Sequence, residues 1–197
     1  MQPARQAFTR ESADARRADL IEATAACLAE HGLAGTNVRA ICAKAGVSPG
    51  LLRHYFDGID DLVAATYQAT SDRMDAIFAA AVASAGAEPR ARLLAYLTAS
   101  FRAPVTDTEL LGAWTAFWAL ARSDARMADI HAQSYAGYRA RLGELLTACG
   151  ARDAGRVAIM LTAMVDGLWL ELSLDAESFG ADTAVAMVEK AVAALLD

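Results

Sequence analysis

The stretch that most narrows what this 197-residue chain can fold into is Thr36 to Phe56, TNVRAICAKAGVSPGLLRHYF. Thr36 is a good N-cap, since its hydroxyl can accept from a backbone N–H in the first turn of a following helix. Val38, Ile41, Cys42 and Ala45 then recur at three-to-four spacing, which makes a short helix with one apolar face. Gly46 permits a sharp turn because it reaches positive φ without a Cβ clash. Ser48 caps a second helix, with Pro49 at its first position, where a missing N–H costs nothing. Two short helices around a tight glycine turn make a helix-turn-helix, and the second helix of such a unit can lie in the major groove of DNA.

The net charge of −6 fits that direction only once it is divided along the chain. Residues 1–56 carry a net +2 and the remainder −8. A basic end on an acidic body suits a protein that meets phosphate at one end only.

Other classes are excluded. Hydrophobic residues reach 55% with only four prolines, which favours an all-α chain. No uninterrupted apolar run approaches the roughly 18 residues of a membrane span, and the N-terminal MQPARQAFTRESADARR lacks the apolar core of a signal peptide. Cys27, Cys42 and Cys149 are odd in number and scattered, so neither a disulfide framework nor a zinc site is indicated. A cytoplasmic protein without a membrane is expected. His31, His54 and His131 have no metal-ligand spacing, and no nucleophile motif, phosphate-cradling loop or Glu-x-x-His appears. No catalytic residue, metal or cofactor is expected, and hence no enzyme.

Periodicity and caps lay out about nine helices and no strand. The first runs from Ser12 or Ala13 to His31, with Gly32 as its stop and Leu20, Ile21, Thr24 and Leu28 buried. After the helix-turn-helix, a long helix spans Asp60 to Ala85, and others span Arg90 to Arg102 (ended by Pro104), Asp107 to Ala121, and Asp124 to Cys149. The last two span Asp153 to Leu174 and Ala181 to Leu196. The natural division is a head of residues 1–58, with its helix-turn-helix at 36–56, and a body of residues 59–197. The run VAIMLTAMVDGLWLELSL, Val157 to Leu174, is apolar around most of its circumference and needs cover on more than one side. Its own neighbours supply it if it is a central core helix; a second copy pairing through the last two helices is the expected cover, since it also supplies the second half-site reader that a helix-turn-helix needs.

The first helix followed by TNVRAICAKAGVSPGLLRHYF resembles the head of TetR-type transcriptional repressors, which are all-helical dimers with a three-helix DNA-binding head and a ligand-binding body. SPGLLRHYF, WTAFWAL (Trp114 to Leu120) and DGLWLELSL (Asp166 to Leu174) are most similar to the choline-responsive, BetI-like repressors of glycine betaine synthesis. The resemblance implies a TetR-like fold, a palindromic double-stranded operator, and a small effector that releases it.

On that reading Arg53 pairs with guanine, Leu51 packs on a thymine methyl, Ser48 donates to phosphate or base, and Gly50 lets the backbone approach. Thr36, Arg39 and Tyr55 clamp phosphates, with Asn37, Pro49 and His54 completing the surface. Leu52 and Phe56 are core. Many family members carry a lysine three residues after the terminal aromatic. Here Ile59 stands there, followed by Asp60 and Asp61, so a phosphate contact is missing.

In the body, Trp114, Phe117 and Trp118 share one helical face, joined by Tyr135, Tyr138 and Trp169. Asp166 lies in an apolar run where an unpaired carboxylate is costly. An aromatic wall with a carboxylate suits a quaternary ammonium such as choline, which offers no N–H donor and is held by cation–π contacts and a counter-charge. The alternative effector is an aromatic, hydrophobic or acyl-thioester ligand of an efflux or metabolic regulator, since an aromatic pocket also accepts flat apolar molecules.

Overall fold

The structure, a computed structural model, describes residues 10–175 and 177–196. Residues 1–9, whose Arg5 enters the head's charge balance, lie outside the described residues. Nine α-helices follow one another in those residues: α1 Arg10–Gly35, α2 Val38–Ala45, α3 Pro49–Tyr55, α4 Ile59–Ser84, α5 Pro89–Thr98, α6 Thr108–Ala121, α7 Ala125–Ala148, α8 Ala154–Leu174 and α9 Ala181–Leu196.

The helix-turn-helix forms where its residues place it, with one change of cap. Ser48 caps α3, its Oγ accepting from the Leu51 N–H at 3.2 Å, and Pro49 opens the helix. Gly46 takes the left-handed conformation at φ 64° that closes α2. The cap of α2, however, is Asn37, whose side chain accepts from the Ala40 N–H at 3.0 Å. Thr36 instead donates its hydroxyl to the Gly32 carbonyl at 2.7 Å. The cause lies one turn earlier. Gly32, at φ 60°, kinks α1 rather than stopping it, and helical hydrogen bonding resumes to Gly35, which moves the start of α2 one residue on.

Leu20, Ala23, Cys27, Ile41, Cys42, Leu52, Phe56 and Leu62 form the core of the head. Truncating a fully buried member such as Leu52 to alanine costs about 2–5 kcal/mol. Leu28, further along α1, belongs to the larger core of the body, and α1 packs more extensively on α6 than on any other helix. Ile59 touches both cores. Ile59 is therefore an apolar joint between head and body and not a phosphate contact.

Helix α5 is shorter than its apolar pattern suggests. It ends at Thr98, and a 3-10 turn, Ala99–Phe101, carries on toward Pro104. Helix α8 is long and apolar enough on average to cross a membrane. Yet Ala158, Leu161, Thr162, Val165 and Trp169 pack into the body, and the buried Thr162 hydroxyl is satisfied by the Ala158 carbonyl at 2.7 Å. The opposite side exposes Ile159 and Met160, while Leu174 at the end of α8 and Met187 of α9 are exposed as well.

Candidate functional site

Two places gather the chemistry. At the head, Asn37, Arg39, Ser48, Pro49, Gly50, Arg53 and His54 are exposed, and Leu51 and Tyr55 are half-buried. Leu52 and Phe56 turn inward. Thr36 is less available than its sequence position suggests: its hydroxyl proton is committed to Gly32 and its N–H to Leu33. Among the clamp candidates, Arg39 and Tyr55 keep side chains that can donate outward. Arg17 of α1 lies over the Phe56 ring at 4.4 Å and braces the end of α3.

The acids beside Ile59 are handled locally. Asp61 accepts from Arg126 of α7 at 2.8 Å and from the Asp57 N–H at 3.3 Å. Arg126 and the other donors hold its carboxyl below the usual range, so it stays charged but paired. Elsewhere in the head, Lys44 donates to Glu30 at 2.6 Å.

In the body, α4, the 3-10 turn, α6, α7 and α8 enclose a cavity of about 50 Å³. By the same measure a single water needs about 10–15 Å³, so there is room for a small molecule and not for a drug-sized one. Trp114 and Trp118 of α6, Tyr135 and Tyr138 of α7, and Trp169 of α8 form its aromatic wall, with Asp166 among them. Trp118 donates its indole N–H to the Tyr135 hydroxyl at 3.1 Å and meets Trp169 edge-on with centroids 5.7 Å apart. Tyr138 stacks on Tyr96 at 4.9 Å.

Phe117 does not join this wall. It is fully buried and stacks on Tyr67 of α4 at 4.3 Å, behind Trp114. Residue 117 lies about 100° around the helix from 118, so the cavity takes one edge of the aromatic stripe and the core takes the other. In its place α4 supplies Met74, Asp75 and Phe78, the 3-10 turn supplies Ser100, and α7 adds Ser134. Met74 and Phe78 lie on the apolar face that helical spacing gives α4, whereas only tertiary packing brings Asp75, Ser100 and Ser134 to the cavity.

Burial pushes the Asp166 carboxyl up to about 6, against the opposing pull of the Tyr135 hydroxyl and the Arg139 charge. Burial also raises Asp75, helped by the nearby Asp72 charge. Two polar atoms of the lining are buried without any partner, the Tyr138 hydroxyl and the Trp169 indole nitrogen. Behind the wall, Tyr67 of α4 shares a hydrogen bond of 3.0 Å with Nδ1 of His131, whose ring lies 4.3 Å from that of Tyr135. His31, His54 and His131 sit on three different helices, and among the described residues no three ligating side chains gather as a metal site would need.

An all-helical chain with an exposed, capped helix-turn-helix at one end defines a helix-turn-helix DNA-binding regulator. Comparison with known proteins makes the class specific. Residues 20–66 match the model of the tetR family of bacterial regulatory proteins, and residues 89–197 match that of the C-terminal part of BetI-type transcriptional repressors. The HTH-type transcriptional regulator BetI of Paraburkholderia xenovorans (strain LB400) is 34% identical, covering 87% of this chain and 88% of its own. Among solved structures, a putative transcriptional regulator from Pseudomonas aeruginosa PAO1 is 42% identical with a TM-score of 0.83, covering 93% of this chain and 91% of its own. A putative transcriptional regulator from Saccharomonospora viridis, solved in complex with choline, shares the fold at a TM-score of 0.78 and 17% identity, over 90% of this chain and 95% of its own. The chain belongs to the tetR family and within it to the BetI-type transcriptional repressors. It is a DNA-binding regulator, not an enzyme.

Proposed function

We propose that choline, or a closely related quaternary ammonium compound, binds in the body cavity and releases this repressor from its operator. One observation carries the reading: six aromatic side chains and the Asp166 carboxylate converge on a single small cavity. A quaternary ammonium needs aromatic faces and a counter-charge, and it needs them free of bulk water. The choline bound to a protein of the same fold supports the same chemistry. A drug-sized or acyl-thioester effector fits less well, because the space is small and a buried carboxylate opposes a purely apolar guest.

Residues 1–58 act as the DNA-binding head and 59–197 as the effector and dimerisation body, working in the cytoplasm where the operator is. Arg53 reads a guanine, Ser48, Pro49, Gly50, Leu51 and His54 line the same groove face, and Arg39, Tyr55 and Asn37 fix the register on phosphates. Two copies pair through α8 and α9, covering Ile159, Met160, Leu174 and Met187. Paired recognition helices fit a palindrome only when about 34–36 Å apart, so an effector that favours a different spacing lowers operator affinity.

Calorimetry and Trp fluorescence with choline test the effector reading, and operator titrations with and without choline test release. Saturable binding that weakens operator affinity is expected. No heat and no fluorescence change with choline or betaine aldehyde would defeat the reading. At the head, Arg53→Ala should relax sequence preference, whereas Arg39→Ala should weaken binding to every sequence and flatten the salt slope. Wild-type behaviour in both would remove this surface from DNA contact.

A further inference from the structure

The aromatic wall and Asp166 account for the cationic head of a ligand, but they leave two donors of the same cavity unexplained. The Trp169 indole nitrogen and the Tyr138 hydroxyl are shut off from solvent, and neither has a hydrogen-bond partner. Both side chains line the cavity, and the two polar atoms lie just under its surface, exposing almost nothing to it. The neighbouring indole, Trp118, is by contrast satisfied by Tyr135. Ser100 lies close enough to Tyr138 to oppose the upward push of burial on its phenol, yet the two hydroxyls have no hydrogen-bonding geometry. An orphaned buried donor is rare and costly, and one of these, the indole N–H, can only donate.

A trimethylammonium group cannot answer them, since it has no lone pair to offer. The missing partner is therefore an acceptor elsewhere on the ligand. Two carboxylates, Asp75 and Asp166, line the same cavity, so an anionic oxygen would be repelled while a neutral one would not. We infer that Trp169 and Tyr138 are specificity-determining donors that read a neutral oxygen, hydroxyl or carbonyl, carried a few bonds from the quaternary nitrogen of the effector. This rests on the cavity being the quaternary ammonium site. It goes further in separating an ammonium alcohol or aldehyde from an equally large ammonium without oxygen, and from one ending in a carboxylate.

The experiment compares full-length protein titrated with choline, with propyltrimethylammonium and with trimethylglycine, by calorimetry and by Trp fluorescence. Propyltrimethylammonium keeps the size and charge of choline and replaces the hydroxyl by a methyl. The wild type is expected to bind choline at least about tenfold tighter than either analogue, since pairing a desolvated donor is worth about that factor. Tyr138→Phe and Trp169→Phe should each lower the ratio of choline to propyltrimethylammonium affinity, and the double variant should bring it near one. The ratio is the readout because Trp169→Phe also removes aromatic surface, which weakens both ligands together. Equal wild-type affinity for choline and propyltrimethylammonium overturns the inference while leaving the cation site standing, and needs no variant to fold. A ratio that persists in a folded double variant also overturns it. If no quaternary ammonium binds, the effector reading itself falls, and this inference with it.

Discussion

Tyr67 of α4 and His131 of α7 share a hydrogen bond of 3.0 Å, and the contact links the helix leaving the head to the helix that walls the cavity. The Tyr67 phenol, pushed up to about 12 by burial, stays protonated at any physiological pH. His131 in turn lies against Tyr135, one residue of the aromatic wall. An effector that moves Tyr135 thus acts on α4 through two contacts. Tyr67→Phe keeps the stacking surface against Phe117 and removes only the hydrogen bond. Operator and choline affinities measured separately should stay within about threefold of wild type. The factor by which choline weakens operator binding should shrink by about fivefold, roughly 1 kcal/mol of a coupling that typically amounts to 1–3 kcal/mol. An unchanged factor would remove this bond from the coupling.

Arg126 and Asp61 form a second tie between α7 and the first turn of α4, at 2.8 Å. Both side chains are solvent-accessible, so the pair contributes at most about 1 kcal/mol. Its position matters more than its strength, because Asp61 sits beside the missing lysine at the edge of the DNA-facing head. Arg126→Ala leaves that carboxylate uncompensated near phosphate. Operator affinity in a binding titration at low salt should fall about threefold to fivefold, with choline affinity unchanged. Adding Asp61→Asn should restore most of the loss, and raising the salt should narrow the deficit.

The elements differ in how readable they were. Ser48 and Pro49 specify the start of α3 through bonds made within four residues, so the sequence suffices there. Thr36 and Asn37 are adjacent and equally capable of capping, and the choice between them depends on how α1 bends at Gly32, which no local pattern encodes. In the cavity, Trp114, Trp118, Tyr135, Tyr138, Asp166 and Trp169 could be picked out as aromatic or acidic residues out of place on helices. Phe117 matched the same description, but α4 covers its side of α6 and takes it into the core. Asp75, Ser100 and Ser134 come to the cavity from α4, the 3-10 turn and α7, and none stands out in its own segment.

Asp166 offers a test with a definite sign. Its folded-state pKa lies at about 6 against an ordinary 3.8, so the folded protein holds a proton that the unfolded chain has lost between those values. Stability from this group is present below about pH 4, declines as the pH rises to about 6, and stays lost at neutral pH. The displacement corresponds to roughly 3 kcal/mol of disfavoured charge. Asp166→Asn should raise the melting temperature at pH 7.5, with little change at pH 4, and should weaken choline at least about tenfold. In the wild type, choline affinity should be flat above about pH 7 and fall below about pH 6 as the carboxylate is neutralised. His131, kept below its ordinary pKa by burial and the Arg139 charge, faces the same wall. Asp75, raised by burial and the Asp72 charge, lines the cavity too, so any slope that survives in Asp166→Asn is assigned to His131 and Asp75 together. A melting temperature that falls at pH 7.5 would show that the carboxylate stabilises the folded protein.

Gly112 of α6 sets how closely the body approaches the head. A Cβ built there would lie 2.8 Å from the Ala29 Cα and 3.0 Å from the Ala29 carbonyl oxygen, both backbone atoms of α1. Neither can rotate away, so a methyl must push the two helices apart. Overpacking of this kind costs about 1–3 kcal/mol. Because α1 carries the head's core at Leu20 and Cys27 and the body's core at Leu28, the displacement is felt on both sides of the joint. Gly112→Ala should lower the melting temperature by several degrees and reduce operator affinity, while choline affinity changes little because Ala29 and Gly112 lie outside the cavity lining. Gly137→Ala, on α7 with nothing within 4 Å of its Cβ, is the matched control and should melt at or slightly above wild type. If Gly112→Ala melts like that control, α1 and α6 have slack at this crossing, and their spacing is not what holds the head in place.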